Sequence, residues 1–218
     1  AVTSLSGPAA APIAGAYYAD LLSYENCITM DMGGTSFDAS LVVNGQCVTS
    51  TEGAINRYRI ALPTLDIITI GAGGGSVGWI DSGGLLKMGP KSAGSLPGPI
   101  SYDRGGEEPA CTDADLILGY LDPDFFAGGK YKLNKEKAVN LTGENLGKPL
   151  GMDAQKAAAG MYRVINMNMA QGVREVSVER GFDPREFLMI CAGGAGSIHA
   201  GEICRELEIP MFVVPSVA

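Results

Sequence analysis

Positive charge is scarce in this chain of 218 residues, where sixteen Lys and Arg face twenty-four Asp and Glu for a net charge of −8. That balance offers no basic patch to a nucleic-acid backbone or an anionic membrane, and excludes both as partners. No run approaches the roughly eighteen consecutive apolar residues that a membrane span needs, and no basic-then-apolar leader opens the chain. The expectation is a soluble, cytoplasmic protein. Its five cysteines, Cys27, Cys47, Cys111, Cys191 and Cys204, are odd in number and contain no C-x-x-C pair. They make no zinc framework and read as buried free thiols in a reducing compartment. His199 is the only histidine. With no second titratable partner near it in sequence, it reads as structural. A Walker A motif is missing too, because Gly147-Lys148-Pro149 lacks both the spacing and the Ser or Thr.

Glycine is abundant instead, at 31 residues concentrated in 71–106 and 193–201. Such density serves backbone approach, either to a ligand or to another chain segment. The stretch that organises the rest is Thr29-Met30-Asp31-Met32-Gly33-Gly34-Thr35-Ser36-Phe37-Asp38. Cys27 to Met32 read as a buried strand and Ala39 to Val43 as its return. Asn44-Gly45 is then a two-residue hairpin turn into a third strand near Cys47 to Thr51. Between the first two strands the chain must reverse within about three residues, so Gly33 and Gly34 are expected at positive φ. Consecutive N–H groups would then point out of the turn and suit phosphate oxygens. Asp31 beside them suits a hydrated magnesium ion or a water poised for attack on phosphorus.

The opening, Val2 to Pro8, carries no initiator Met and runs into a helix over Ala9 to Leu22, so the start reads as the middle of something larger. Arg57 to Leu62 and Leu65 to Ile70 read as extended. Gly73, Gly75 and Gly78 match G-x-G-x-x-G, but Val77 to Asp81 and Leu85 to Met88 read as a hairpin where a dinucleotide fold demands a helix. Residues 89–110 read as a long loop with one Lys, Lys91, and one Arg, Arg104, facing phosphate, a partner or solvent. Thr112 to Asp115 read as a capping box opening a helix through Leu121, and a second helix covers Lys135 to Asn145. Asp153 caps a third helix, whose Met161, Ile165, Met169, Val173 and Val176 form a core stripe, and Gly181 stops it. Phe187 to Cys191 then form a buried strand, followed by Gly193-Gly194-Ala195-Gly196 and a helix from about Ile198 to Leu207. That order turns a helix N-terminus and free N–H groups toward an anion or nucleotide. Met211 to Pro215 read as a last strand.

This order resembles the second half of the actin-like ATPase fold, an α/β (ribonuclease H-like) domain with a mixed sheet and flanking helices. Within it, the chain resembles the hydantoinase A/5-oxoprolinase family, which includes the ATP-dependent ketone carboxylase subunits. The residues that carry the resemblance begin with Ser6-Gly7-Pro8-Ala9, Asp31 to Ser36, Thr69 to Ser76, Gly89-Pro90 with Ser92-Ala93-Gly94, and Pro97-Gly98-Pro99. They continue through Arg104-Gly105-Gly106, Thr112-Asp113-Ala114, Val176 to Gly181, and Gly193 to Gly196 with His199-Ala200. The chain departs from the family where Ser101-Tyr102-Asp103-Arg104 replaces Cys-Tyr-Gly-Arg, and where Ser197 stands for the usual Pro. The family's first phosphate hairpin is also missing. The resemblance therefore implies that residues 1–218 are the second lobe of a longer subunit, with 71–110 as a Gly/Pro-rich loop and hairpin insertion.

The resemblance implies an enzyme that uses ATP and magnesium to open a cyclic amide or imide by phosphorylating its carbonyl oxygen. A ketone carboxylase subunit and a non-catalytic interaction domain are the alternatives. Gly33, Gly34 and Thr35 would bind phosphate, and Gly193, Gly194 and Gly196 adenosine. Asp31 would be catalytic and, with Asp38, hold the metal. The partners implied are the nucleotide, the remaining domains or subunits of the enzyme, and a second, B-type subunit. The 218 residues alone are expected to turn over little.

Overall fold

The computed structural model describes residues 9–50, 54–55, 58–59 and 64–216. The chain opens with helix α1 (Ala10–Leu21) and strands β1 (Cys27–Met32), β2 (Phe37–Val43) and β3 (Gln46–Cys47). Short strands β4 (Thr49–Ser50), β5 (Ala54–Ile55), β6 (Tyr58–Arg59) and β7 (Thr64–Leu65) lead to β8 (Ile67–Ile70). A hairpin of β9 (Ser76–Ile80) and β10 (Leu86–Ser92) precedes helices α2 (Cys111–Leu118), α3 (Lys135–Thr142) and α4 (Ala154–Val176). Strand β11 (Leu188–Ala192), helix α5 (Gly196–Leu207) and strand β12 (Phe212–Val213) finish it. The expected opening over Val2 to Pro8 lies outside the described residues, as does all of Arg57 to Leu62 except β6.

Two compact units emerge. One comprises Ala1–Met32, Phe37–Ile70 and Met169–Ala218, and the other Gly33–Ser36 and Gly71–Asn168. The first is built on a mixed sheet of order β12-β11-β1-β2-β3, with β8 also paired to β2. Strand β2 runs antiparallel to β1, while β11 runs parallel to it and β12 parallel to β11. A two-residue turn joins β2 to β3 because Asn44 and Gly45 both take positive φ, 51° and 71°, as a turn matched to strand twist requires. The antiparallel ribbon of three strands and the mixed sheet are what the resemblance implies.

Side chains alternate across β1. Cys27 and Thr29 face α1, where Gly15 has no room for a Cβ against the Thr29 methyl. Met30 and Met32 face the opposite way, and the Met30 Cε methyl lies 3.7 Å from a Cβ built on Gly196 of α5. All of β1 except Asp31 is buried. Asp31 therefore stands at the carboxyl end of a central strand, the edge at which α/β sheets receive ligands. The outer face of α1 is apolar, with Ile13, Tyr17 and Leu21 each about 60% exposed at helical spacing.

The second unit contains the β9/β10 hairpin, α2, α3 and the start of α4. The hairpin expected in place of a dinucleotide helix is present, with Leu86 opposite Ile80 and Met88 opposite Gly78. Within the expected loop of 89–110, β10 continues to Ser92 and a single 3-10 turn forms at Ile100–Tyr102. The expected T-x-x-D box is displaced: α2 begins at Cys111, so Asp113 rather than Asp115 is its third residue. Asp113 is buried and accepts N–H bonds from Ile100 (3.0 Å), Ser101 (2.7 Å) and Ala110 (2.8 Å). It binds the loop to the helix start, a tertiary demand that overrides the local cap. Gly119, not Leu121, closes the helix, in the left-handed region.

Asp153 does cap α4, accepting from Lys156 N at 2.7 Å, and all five residues of the expected stripe are buried. Each such side chain contributes roughly 1.5–3 kcal/mol. The helix ends at Val176, earlier than Gly181, which instead closes a 3-10 turn at Val178–Arg180. Arg180 is thereby aimed at Asp66, forming a two-pronged ion pair at 2.9 and 3.1 Å. Among the described residues no helix is long and apolar enough to cross a membrane. All five cysteines are free and all but Cys47 are buried. Burial pushes the Cys27, Cys191 and Cys204 thiols up to about 12, which makes them inert.

Candidate functional site

Asp31 and Asp38 are direct cross-strand partners in the β1/β2 ladder, so their carboxylates leave the same face of the sheet. Burial raises the Asp31 pKa from its ordinary value, and the Asp38 charge adds to the rise. Asp38 accepts a hydrogen bond from the Thr69 hydroxyl on β8. On the other side of β1, Asp31 pairs in register with Ala192 at the end of β11. Strand β11 then enters the Gly193 turn, so the expected acid and the expected adenosine turn meet at the carboxyl ends of two parallel neighbours.

Gly193 is required there twice over. Its φ is 79°, and a Cβ would collide with the Asp31 carboxylate and the Met32 carbonyl. The turn is tied to β1 by Ala195 N donating to Met32 O at 3.1 Å, and it closes by Gly196 N donating to Gly193 O at 3.2 Å. Gly194 differs from Gly193. It lies outside the left-handed region, and nothing stands within 4 Å of where its Cβ would be. Helix α5 starts at Gly196, two residues before the expected Ile198, and His199 on it is buried. Beside Asp31 opens a cavity of about 270 Å³ walled by Ala10, Ala14, Tyr18, Ile190, Ala192 and Pro215. Its largely apolar walls suit a flat ring, with Thr29 and Asp31 as polar groups.

The turn after β1 is positioned from within the second unit. Gly33 and Gly34 are not at positive φ, contrary to expectation. The reversal is spread over four residues and stabilised by Gly33 N donating to Ser36 O at 3.2 Å, so no left-handed residue is needed. A Cβ on either glycine would meet nothing within 4 Å. Gly33, Gly34 and Thr35 are exposed, and the N–H groups of Gly34 and Thr35 donate to no acceptor among the described residues.

What holds this turn is the second glycine run, whose role the sequence left open. Gly74 N donates to Gly33 O at 3.0 Å and Gly75 N to Gly34 O at 2.7 Å. A Cβ on Gly73 would lie 2.6 to 2.8 Å from backbone atoms of Gly34 and Thr35. Thr112 at the start of α2 donates to Gly74 O through both its N–H (2.8 Å) and its hydroxyl (2.9 Å). The run is therefore a backbone clamp on the turn of Gly33 to Thr35. Thr112 and Gly73 are the positioning residues that the sequence reading did not single out for this role. The signal was three consecutive glycines, Gly73 to Gly75, shortly after strand β8, which no hairpin needs. Lys91 and Arg104 are engaged locally, Lys91 with Glu108 at 2.5 Å and Arg104 over the Tyr131 ring at 4.9 Å.

The class the structure defines is a mixed α/β sheet with paired carboxylates and a glycine turn at its strand ends. Residues 1–218 match the family model Hydantoinase/oxoprolinase, and the chain belongs to that family. It is 44% identical to the caprolactamase alpha subunit of Pseudomonas jessenii, over 98% of this chain and 31% of that protein. The acetophenone carboxylase gamma subunit of Aromatoleum aromaticum is 40% identical, over 95% of this chain and 28% of that protein. The crystal structure of the ATP-dependent caprolactamase from P. jessenii superposes with a TM-score of 0.92, covering 98% of this chain and 31% of its own. A nucleotide-free structure of ATP-dependent acetone carboxylase superposes at 0.89 with 31% identity, covering 97% of this chain and 30% of its own. The chain thus spans less than a third of the length of these relatives.

Proposed function

We propose that this chain supplies part of the nucleotide site of an ATP-dependent hydrolase that opens a cyclic amide or imide. The observation that carries the reading is the state of Gly33, Gly34 and Gly194. None has a left-handed backbone and none has a neighbour within 4 Å of its Cβ position. The conformational and packing reasons for glycine are both absent, which leaves close approach by an outside group. The substrate class rests on the 44% identity with a caprolactamase subunit across nearly the whole chain.

In this reading residues 1–218 are the second lobe of an actin-like ATPase domain, with 71–110 as its insertion. The N–H groups of Gly34 and Thr35 bind phosphate oxygens, beside Gly33. Gly193, Gly194 and Gly196 leave room for the adenosine. Asp31 orients the attacking group, and with Asp38 it offers the hard oxygen donors that magnesium takes. The pair fits such an ion, because a cation offsets the burial and like-charge repulsion that raise the Asp31 pKa. Bound magnesium would supply neutralising charge to phosphate oxygens. Phosphorylation of the ring carbonyl oxygen turns a poor electrophile into one that water can attack. The C–N bond of the adduct then breaks with the ring nitrogen as leaving group, and a second water hydrolyses the resulting acyl phosphate to carboxylate and phosphate. The protein contributes position and electrostatics. The exposed stripe of Ile13, Tyr17 and Leu21 supports a surface for the remaining domains or a second, B-type subunit. Free thiols fit a reducing compartment such as the cytoplasm.

Ketone carboxylation is the second reading, favoured by the 40% identity with an acetophenone carboxylase subunit. The same residues would serve, because both chemistries begin with phosphoryl transfer. Phosphate release from ATP by the complete enzyme separates the two. Release that depends on a lactam and disappears in Asp31→Ala supports the hydrolase. Release that depends on a ketone plus bicarbonate transfers the chain to the second reading, and no ATP-dependent release with either sinks both.

A further inference from the structure

We propose that the second unit carries a ligand site of its own, for a small carboxylate on a flat apolar body, between Arg104 and the segment 126–133. A cavity of about 180 Å³ is lined there by Tyr102, Arg104, Phe126, Tyr131, Lys132 and Leu133. Its walls are aromatic. The Tyr102 and Phe126 rings lie 5.5 Å apart at 48°, and Phe126 is bridged to Tyr131 by an antiparallel backbone pair. These rings offer flat apolar faces to a planar ligand.

Three aromatic rings by themselves would suit a cation. The charges decide against that. Arg104 already occupies a ring face, its guanidinium carbon 4.9 Å from the Tyr131 centroid. Stacking uses the flat face of a guanidinium and leaves its edge, where the N–H donors are, for an acceptor. Those donors find none among the described residues, because the neighbouring acids are bound elsewhere. Asp103, held at φ 55°, accepts from Lys137 at 2.7 Å and Asn134 at 3.3 Å. Asp124 is paired with Lys132 at 3.1 Å. The cavity therefore presents one positive fork without a counter-charge, beside apolar walls. A carboxylate matches that fork in two-pronged geometry, and a ring behind it fills the aromatic part. The volume lies below that of sites for drug-sized ligands and excludes a nucleotide.

The test is calorimetric titration of the protein with benzoate, with its neutral analogue benzamide and with inorganic phosphate, on the wild type, Arg104→Lys, Arg104→Ala and Phe126→Ala. The expected result is binding of benzoate alone. Arg104→Ala should weaken it by about tenfold or more, as loss of a charged hydrogen-bond partner does, and Arg104→Lys should fall between, with the melting temperature unchanged in both. Phe126→Ala should also weaken it. Equal binding of benzamide would make the cavity merely apolar, and equal binding of phosphate would make it merely basic. Either result overturns the proposal, as does absence of benzoate binding or binding indifferent to Arg104→Ala.

Discussion

Two glycine runs in this chain look alike in composition and are glycine for opposite reasons. Gly73 to Gly75 have no room: a Cβ on each would press against a turn backbone or side chain at 2.6 to 2.9 Å. Gly33 and Gly34, the partners they hold, have open space where a Cβ would go. One run is the clamp and the other is the surface that the clamp presents. A glycine is informative about a ligand only after the protein's own reasons for it have been removed.

The sharpest way to break this comparison is to loosen what lies under the clamp. Asp113→Ala leaves three buried N–H groups without an acceptor, and a loss of about 3 kcal/mol or more is expected in urea denaturation. The next largest effect falls on the packed run itself. Gly73→Ala should cost about 3 kcal/mol, because backbone rather than a flexible side chain blocks the methyl. Gly34→Ala in the open run should stay within about 0.5 kcal/mol of wild type in stability, while the complete enzyme loses affinity for Mg-ATP by calorimetry. If Gly34→Ala destabilised as much as Gly73→Ala, the distinction between the two runs would collapse. Gly194→Ala is expected to repeat the Gly34 result, and Gly193→Ala to resemble Gly73→Ala.

A further test concerns the acid beside the open turn. Folding raises the Asp31 pKa, so the native state holds more protons than the unfolded one between about 3.9, the ordinary Asp value, and the folded value. Stability from this residue therefore falls as pH rises through that window. Asp31→Asn carries no charge, so it should be more stable than wild type near neutral pH and indistinguishable from it well below pH 4, while phosphate release is lost. Thermal melts across pH read the first effect. A variant less stable than wild type at neutral pH would mean that the carboxylate is held by partners rather than strained by burial.

Much of the fold was legible because its signals are local. The apolar runs of β1 and β2, the Asn44-Gly45 reversal and the α4 stripe all depend on residues within a few positions of one another. The helix starts were less legible. Asp113 was visible inside a T-x-x-D pattern, but its three donors come from Ile100, Ser101 and Ala110, and no short-range rule reports a carboxylate gathering distant N–H groups. The end of α4 was misplaced to Gly181 because Arg180 is needed at Asp66, 114 residues away.

The sequence by itself determined the class of fold, the strand that carries Asp31, the glycine turns after β1 and β11, and the family resemblance. Those depend on side-chain period and on the conformational freedom of single residues, both of which are written in the order of residues. Only the tertiary structure decided which glycines are packed and which are open, and that Asp31 lies against Asp38 on one side and the Gly193 turn on the other. Those facts depend on which backbones come within van der Waals distance, and the chain specifies that only when it is folded.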